Sequence, residues 1–370
     1  MSVEVMPSGV KCNLNCSYCY QAPLRDAGNF TSEETSIDKM IQALEKSGQY
    51  FTVFGGEALL TPIADLEKLF QYGFNKHGQN GIQTNGSLIT DAHIELFNRY
   101  NVHVGFSMDG PNELNDLRWA GSLEKTRLTT EKSHKALYKV INQHMPCSLI
   151  VTLHKKNATG DNLVKLKNWF NMLAGMGLKY VRLHLLEVDH PFVQSLALTE
   201  DEAFNAIVLL EQVSSKLEID TYSDIPRMMK GEAFSPTCIW NNCNPFNTSA
   251  VYGINSDGSL SNCGRTNKDG VNFLKSDSEG DERYHALLNT PEEYGGCKGC
   301  EFFPICGGEC PGQSHDWRVR TSHCSLLKRI FRFYKDRVGY NPILHDGPRT
   351  NVEHGDHYDY GSTMVVEVRQ

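Results

Sequence analysis

Two periods of apolar residues alternate along the first 225 residues of the chain. Short runs with a period of two, typical of strands, are each followed by a longer run with a period near 3.6, typical of a helix. About six such pairs predict a parallel sheet with helices outside it, an α/β fold. The predicted strands are residues 3–6, 50–54, 82–84, 102–108, 147–153 and 180–186, and the predicted helices include 31–47, 123–143 and 199–217. Thr31 and Glu34 fit a capping box at the start of the first of these helices.

The polar residues of the predicted strands share one face. In the strand 180–186, Val181 and Leu183 point to one side, while Arg182 and His184 point to the other. A doubly wound sheet is apolar on both faces, whereas one polar face is typical of a barrel with a solvated or ligand-filled lumen. We therefore expect a partial barrel. The candidates for polar lumen residues are His103, Asp109, His154, Arg182 and His184, and the pattern does not single out a catalytic acid or base among them.

A second region begins near Pro226 and is rich in Asn, Gly, Ser and Cys. Residues 249–262 predict a β-hairpin that turns at Asp257-Gly258, and residues 324–338 predict a last helix. We interpret the polar tail that follows as a surface extension. The sequence thus divides into 1–225, 226–340 and 341–370.

The composition is that of a globular protein, with 40% apolar and 22% charged residues and a net charge of −8. The excess of acid argues against a protein that binds nucleic acid or anionic membranes. No apolar run is long enough for a membrane span, and the first residues lack the pattern of a secretory signal. We therefore expect a cytoplasmic protein, in a reducing setting where clustered cysteines more often bind metal than form disulfides.

The twelve cysteines occur in two groups. Cys12, Cys16 and Cys19 stand in a loop after the first predicted strand, eight more fall between residues 238 and 324, in roughly the last third of the chain, and only Cys147 lies between the two groups. Three thiolates at this spacing can hold a four-iron cluster and leave one iron open to chelate a small molecule. A zinc site with a borrowed fourth ligand is the alternative. We interpret Cys147, inside a strand, as a buried core thiol.

The N-terminal string resembles the cysteine motif of radical S-adenosylmethionine (SAM) enzymes, with Tyr18 at the aromatic position before Cys19. Further motifs that resemble this family follow in order, each at the end of a predicted strand. The resemblance implies a partial (β/α)6 TIM-like barrel in which a reduced 4Fe-4S cluster on Cys12, Cys16 and Cys19 cleaves SAM to a 5′-deoxyadenosyl radical. It also implies SAM contacts from Tyr18, Gly55, Gly56, Glu57, Asn85, Ser107 and Arg118.

The triplet Gly55-Gly56-Glu57 resembles the family's motif for the methionine amino group. Glycines allow a close backbone approach, and a carboxylate binds an ammonium. Asn85 lies in a segment similar to the family's third-strand turn, and Ser107 opens an S-x-D-G-P segment similar to its fourth-strand motif. Arg118 is the matching downstream arginine, at an interval one residue shorter than in the family.

The cysteines of the last third resemble the SPASM extension of peptide-modifying radical SAM enzymes, with Cys238 as an eighth ligand. Eight thiolates can close two further four-iron clusters, so three 4Fe-4S clusters are expected in all. A zinc ribbon is the alternative, and it leaves four of these cysteines unused. The implied sets interleave, with Cys238, Cys243, Cys263 and Cys310 on the first auxiliary cluster and Cys297, Cys300, Cys306 and Cys324 on the second.

This combination resembles maturases of ribosomally made peptides, which are oxidoreductases. The implied reaction is a two-electron oxidation, in which the radical removes a hydrogen and an auxiliary cluster takes the remaining electron. We expect an intramolecular side-chain crosslink in a precursor peptide. The expected partners are that peptide or a protein substrate, an electron donor such as flavodoxin or ferredoxin, and, unless this chain reads the leader itself, a separate leader-recognition protein.

Four alternatives remain open, and one of them is a small-molecule dehydrogenase of the same superfamily. Anaerobic sulfatase-maturing enzymes, which make formylglycine, resemble this chain in its opening residues and eighth cysteine. They carry an aspartate base directly after the equivalent of Cys263, where this chain has Gly264-Arg265. A peptide epimerase needs a hydrogen donor, for which Cys147 is the unassigned cysteine. A non-catalytic iron–sulfur electron-transfer protein would not need SAM motifs around an open cluster.

Overall fold

The computed structural model describes residues 2–28, 35–188, 191–244, 251–266, 282–314 and 316–340. The strands in these residues are β1 (Ser2–Val5), β2 (Phe51–Val53), β3 (Asn80–Thr84), β4 (Val102–Ser107), β5 (Cys147–Leu153), β6 (Tyr180–Leu185), β7 (Glu218–Ile219), β8 (Val251–Ile254) and β9 (Leu260–Asn262). The α-helices are α1 (Ala22–Asp26), α2 (Ile37–Ser47), α3 (Ile63–His77), α4 (Asp91–Arg99), α5 (Leu123–Asn142), α6 (Gly160–Met176), α7 (Pro191–Gln194), α8 (Glu200–Leu210), α9 (Asp220–Met229), α10 (Glu282–Asn289), α11 (Phe303–Cys306) and α12 (Cys324–Val338).

The strands form one sheet in the order β7-β6-β5-β4-β3-β2-β1-β8-β9. Neighbouring strands from β7 to β8 are parallel, and β9 is antiparallel to β8. In the described sheet, β7 and β9 are not paired with each other, so the barrel is open. The predicted parallel α/β fold is confirmed, and so is the predicted hairpin. The sequence pattern did not reveal that this hairpin would join the barrel sheet beside β1.

The two faces predicted for the strands are present in β6. Val181 and Leu183 are at most 1% exposed and belong to the main hydrophobic core. Arg182, between them, faces the other way and borders a cavity. Leu183 borders the same cavity. The period of two therefore separates an apolar face from a polar face of β6 but does not decide which residues reach the cavity.

Helix α2 begins later than the sequence predicted. Ser36 caps it, since its hydroxyl accepts the Lys39 N–H at 3.3 Å, and Gly48 ends it with φ of +63°. The predicted capping box at residues 31–34 lies outside the described residues.

The predicted helix 199–217 is also wrong at its end. Helix α8 stops at Leu210, and the chain continues into β7, a strand that the pattern did not reveal. Only two residues of β7 pair with β6, at Glu218 and Ile219, and a period of two cannot be recognised over that length.

One hydrophobic core continues across the predicted boundary between residues 225 and 226, which falls inside α9. Trp240 and Phe331 are both at most 1% exposed, and their ring centroids are 5.9 Å apart. They belong to the same core as Val3 of β1. The division at 225 stays a prediction, and the tail 341–370 lies outside the described residues. None of the described helices combines the length and apolar character needed to cross a membrane.

We expect Ile254→Ala to lower the free energy of unfolding by roughly 2–5 kcal/mol. Ile254 is fully buried in β8, whereas Leu260, its register partner on β9, is 49% exposed. Leu260→Ala is therefore the matched control, with an expected change within about 0.5 kcal/mol. Urea denaturation under anaerobic conditions measures both variants, and equal losses would contradict the buried β1–β8 junction.

Candidate active site

A cavity of about 300 Å³ opens at the carboxyl ends of the parallel strands. Its wall includes Gly55 after β2, Asn85 after β3 and Ser107 at the end of β4. Parallel strands end at one edge of their sheet, so residues distant in sequence meet there. Of the seven predicted SAM contacts, six border the cavity, namely Tyr18, Gly55, Gly56, Asn85, Ser107 and Arg118.

The three N-terminal cysteines lie in the loop that follows β1, and all three border the cavity. The loop is tied to the segment after β4, since the Asn15 N–H donates to the Trp119 carbonyl at 2.7 Å. Burial raises the pKa of the Cys12 thiol to about 11 and that of Cys16 to about 12. Both thiols are therefore protonated at neutral pH until a metal displaces the proton.

The surroundings of these thiols suit an anionic iron–sulfur group. The Leu14 N–H donates to Cys12 Sγ at 3.4 Å, and Arg25 Nη1 donates to Cys19 Sγ at 3.3 Å. Both donors stabilise thiolate. In the described part of the chain, no three His, Cys, Asp or Glu side chains converge to hold a single metal ion. A cubane cluster does not need such convergence, because each of its thiolates binds a different iron.

Gly55 and Gly56 are required by the approach of the chain's own cysteine loop. A Cβ at Gly55 would lie 2.5 Å from the Gly9 carbonyl oxygen, and one at Gly56 would overlap the carbonyl of Lys11. The φ of Gly55 is +134°, which L side chains rarely adopt. The Gly56 N–H donates to the Gly9 carbonyl at 2.9 Å. These glycines therefore bring the end of β2 against the loop that carries the cysteines.

The carboxylate of Glu57 bonds within the protein and does not border the cavity. Oε1 accepts the Leu59 N–H at 2.9 Å and the Thr84 hydroxyl at 2.6 Å, and Oε2 accepts the Asn85 N–H at 2.8 Å. Glu57 thus fastens the end of β2 to the end of β3 and holds Asn85 at the wall. Its predicted contact with the amino group of SAM stays a prediction.

Asn85 and Ser107 present polar groups to the cavity from two neighbouring strands. Asn85 Nδ2 donates to Asn13 Oδ1 at 2.8 Å, which links this side chain to the cysteine loop. Ser107 Oγ accepts from Gln83 Nε2 at 2.8 Å. Both side chains are therefore held in place by neighbours, as a binding site for a polar ligand requires.

Asp109 is fully buried and does not border the cavity. Its carboxylate accepts from Arg118 Nη2 at 2.8 Å, from the Thr152 N–H at 3.1 Å and from the Tyr18 hydroxyl. Burial opposes the charged form, but Arg118, then His154 and Tyr18, lower the pKa of Asp109 to about 2. This carboxylate therefore anchors two of the predicted SAM contacts, Tyr18 and Arg118.

The five predicted lumen residues separate into two groups. Arg182 and His184 border the cavity, whereas His103, Asp109 and His154 do not. His103 is buried with Nε2 2.8 Å from Ser148 Oγ, and His154 is fully buried with Nε2 3.5 Å from the Asp109 carboxylate. Burial, followed by nearby arginines, lowers the pKa of His184 to about 3, so its ring is neutral at pH 7.

The cysteines of the last third also lie close together. The thiol of Cys310 interacts electrostatically with the other three members of the first implied set. Cys306 interacts with Cys297 and Cys324 of the second set, and Cys297 also interacts with Cys300. None of the twelve cysteines, all of which lie in the described residues, forms a disulfide bond. The members of the first set that border the cavity are Cys238, Cys263 and Cys310. Two auxiliary clusters on these sets stay a prediction.

Cys147 begins β5 and is partly buried. It packs against the main hydrophobic core, and burial raises its pKa to about 12. This environment is that of the structural thiol that the sequence predicted.

A charged group beside Gly264 was not among the site residues predicted from the sequence. Glu4, in the middle of β1, borders the cavity, and its Oε2 accepts the Gly264 N–H at 3.1 Å. Burial raises the pKa of Glu4 to about 7, against the lowering effects of the Gly264 N–H and Arg265. Arg265 forms an ion pair with Glu187 and lies 5.8 Å from the ring centroid of Tyr20. The available signal was a carboxylate inside the otherwise apolar run 3–6.

Comparison with known proteins assigns the first part of the chain. Residues 6–166 match the Radical SAM superfamily. The chain carries a radical SAM domain. This match contains all three N-terminal cysteines and all seven predicted SAM contacts, so it confirms the resemblance that their spacing suggested. A first 4Fe-4S cluster and SAM are the cofactors that such a domain calls for.

The chain is also similar to two anaerobic sulfatase-maturating enzymes. The serine-type enzyme of Bacteroides thetaiotaomicron is 36% identical over 129 residues, which are 31% of this chain and 30% of that enzyme. The cysteine-type enzyme of Clostridium perfringens is 32% identical over 130 residues, which are 32% of this chain and 35% of that enzyme. The matched stretch spans about a third of the length of each relative.

Solved structures resemble the chain well beyond the radical SAM domain. Native anSMEcpe with bound AdoMet and Cp18Cys peptide superposes with a TM-score of 0.68 at 18% identity, covering 91% of this chain and 97% of that chain. Streptococcus suis SuiB bound to S-adenosylmethionine gives a TM-score of 0.56 at 13% identity, covering 87% and 76%. These likenesses show a shared fold.

Asp109→Asn should lower the free energy of unfolding of the radical SAM domain by about 3–5 kcal/mol, because it leaves the buried charge of Arg118 unpaired. It should also loosen Tyr18 and reduce the iron held by the neighbouring cysteines. Asp116→Asn is the control, because the ion pair of Asp116 with Arg127 is partly exposed and worth at most about 1 kcal/mol. Urea denaturation and iron analysis measure both, and a variant as stable as the control would overturn the anchoring role.

The folded chain should lose stability as the pH falls from about 6.5 towards 4, in part through His103. Burial, then Arg182, lowers the pKa of His103 to about 4 in the fold. A group whose folded pKa is lowered stabilises the fold above its unfolded pKa, and this contribution is lost as the pH falls through the folded value. Between about pH 7 and about pH 4.5, the unaltered chain should lose about 2 kcal/mol more than His103→Gln. Parallel pH profiles of unfolding would contradict this.

Proposed function

We propose that this chain is a radical SAM maturase that oxidises a side chain of a ribosomally made peptide and forms an intramolecular crosslink. The observation that carries the proposal is a single cavity bordered both by the N-terminal cysteines and by three cysteines of the last third. A substrate held there lies between a radical source and an electron acceptor. That arrangement suits a net two-electron oxidation.

Residues that border the cavity suit each of the proposed cofactors. Cys12, Cys16 and Cys19 would hold the first cluster, with SAM beside Gly55 and Ser107. When bound, these groups supply the radical that removes a substrate hydrogen, and an auxiliary cluster accepts the remaining electron. The chain itself orients the ligands, and its buried wall keeps water from the reactive centre. A flavodoxin or ferredoxin is the proposed source of the electron for the first cluster.

The proton released by such an oxidation needs an acceptor in the cavity. Glu4 borders the cavity, and its pKa near 7 allows it to take up a proton at neutral pH. We therefore assign proton uptake to Glu4.

Two solved structures of similar fold support a peptide substrate. One is native anSMEcpe with bound AdoMet and Cp18Cys peptide. The other is Streptococcus suis SuiB bound to the precursor peptide SuiA, with a TM-score of 0.55 at 15% identity. Each binds a peptide in a protein that superposes on more than four fifths of this chain. A peptide or a protein segment is accordingly the proposed partner.

Formylglycine formation is the second candidate, because the sequence relatives are sulfatase-maturating enzymes. The aspartate expected for that reaction is replaced by Gly264, which has no side chain. The carboxylate of Glu4, bonded to the Gly264 N–H, occupies this part of the cavity instead. Formylglycine formation would then use a base from β1.

The test is the intact mass of a candidate precursor peptide, such as a short peptide encoded next to the gene for this chain, after anaerobic coexpression with and without the enzyme. The proposal predicts a loss of two hydrogens and fragmentation that is blocked across a ring. The control is the chain with Cys12, Cys16 and Cys19 all changed to alanine, which should leave the mass unaltered.

Other outcomes of the same experiment decide against a crosslink. A loss of two hydrogens from one serine, with a free aldehyde, would establish formylglycine formation. A mass unchanged in water that rises by one unit in heavy water would show epimerisation. A peptide unchanged in both solvents would refute all three reactions on that substrate.

A further inference from the structure

A buried arginine lies among the cysteines of the last third. Arg283 is 1% exposed. Its Nε donates to the Trp317 carbonyl at 2.7 Å and its Nη1 to the Gly307 carbonyl at 3.2 Å. Its Nη2 donates to the carbonyls of Gly308 at 3.2 Å and Val319 at 3.4 Å. One guanidinium thus binds four main-chain carbonyls.

These carbonyls belong to the segments that carry predicted ligands of both auxiliary sets. Gly307 and Gly308 lie between Cys306 of the second set and Cys310 of the first, and residues 317–319 precede Cys324. Gly307 and Gly308 have φ of +58° and +79°, so the short loop takes a backbone form that favours glycine. Arg283 therefore fixes the spacing between the two sets.

The charge of Arg283 also interacts with thiols of both sets. It interacts with Cys243 and Cys310 of the first set and with Cys306 and Cys297 of the second. The carboxyl group of Glu309 also interacts electrostatically with Arg283. A buried cation requires compensating negative charge, and clusters held by thiolates are anionic. The guanidinium is therefore placed to compensate negative charge on both sets.

We propose that Arg283 is a single cation shared by both auxiliary clusters, which positions their ligands and raises both reduction potentials. The inference rests on the auxiliary clusters of the proposed function. Reduction adds negative charge to a cluster, so a nearby fixed cation favours the reduced form. One residue then makes both clusters better electron acceptors.

Two substitutions separate positioning from charge. Arg283→Met removes the charge and the carbonyl contacts, and Arg283→Lys keeps the charge but cannot reach four carbonyls in the same planar arrangement. Each is made in the full chain with Cys12, Cys16 and Cys19 changed to alanine, so that only auxiliary clusters are observed. The readouts are iron content and potentiometric titration followed by electron paramagnetic resonance.

The expected results differ between the variants. Arg283→Met should lower the iron content and shift both potentials of the loaded fraction to more negative values. Arg283→Lys should also lose iron but keep both potentials close to those of the unaltered chain. The lysine variant keeps the test decisive if the methionine variant fails to fold.

Two neighbouring arginines provide matched controls. Arg320 interacts with Cys297 and Cys324 of the second set, so Arg320→Met should shift one potential. The side chain of Arg318 is 66% exposed and pairs with Asp316, so Arg318→Met should shift neither. Only Arg283 should affect both clusters.

Three results would overturn the inference. Full iron content with unmoved potentials in Arg283→Met would refute both roles of Arg283 while leaving the auxiliary clusters in place. A large shift of potential in Arg283→Lys would show that geometry acts instead of charge. Iron at the level of a single cluster in the chain with all its cysteines would remove the auxiliary clusters of the proposed function, and the inference with them.

Discussion

The buried ion pair between Asp109 and Arg118 is the contact on which the first cysteine site depends. Asp109 follows β4, yet its carboxylate binds Tyr18 from the cysteine loop and the Thr152 N–H from β5. Three separate segments therefore meet on one anion that water does not reach. In such surroundings an unmatched charge is costly, so the groups are held in one arrangement. Tyr18 and Arg118, which bind this carboxylate, are therefore held in fixed positions at the wall of the cavity.

Two buried charged groups of this protein are held in different ways. The Glu57 carboxylate accepts three hydrogen bonds, from the Leu59 N–H, the Thr84 hydroxyl and the Asn85 N–H. Arg283, in the second region, is held by carbonyls and faces thiols. The Glu57 arrangement is complete without a ligand, whereas Arg283 faces thiols that become anions when they bind metal.

The features that could be predicted from the sequence are those determined by residues close together along the chain. Alternating periods located β1 to β6, and close spacing revealed both cysteine groups. Motif position placed Gly55, Asn85 and Ser107 at the strand ends where the structure has them. His184 borders the cavity and His103 does not. Periodicity could not predict this difference, because it indicates the face of a strand on which a residue lies and not its position along the barrel. Periodicity also put Asp109 among the lumen candidates, although Asp109 is fully buried by the groups that bind its carboxylate.

The remaining features depend on pairings between distant residues. Glu57 turns towards β3 because donors from Thr84 and Asn85 converge on it, and no local pattern encodes that meeting. Glu4 was not predicted as a site residue because its neighbours in sequence are apolar. In the structure, its carboxylate accepts the Gly264 N–H. The β1–β8 pairing joins residues about 250 positions apart, beyond the reach of any turn signal.

That pairing has a consequence for how the chain is made. Until β8 leaves the ribosome, β1 is an edge strand with one row of unpaired backbone groups, exposed while more than half of the chain is already synthesised. Through most of translation, the nascent chain therefore has an unpaired strand edge next to its first cysteines, and such an edge is prone to aggregation. The β8–β9 hairpin acts as the late cover of that edge, and completion of the sheet is coupled to synthesis of the region that holds the other cysteines.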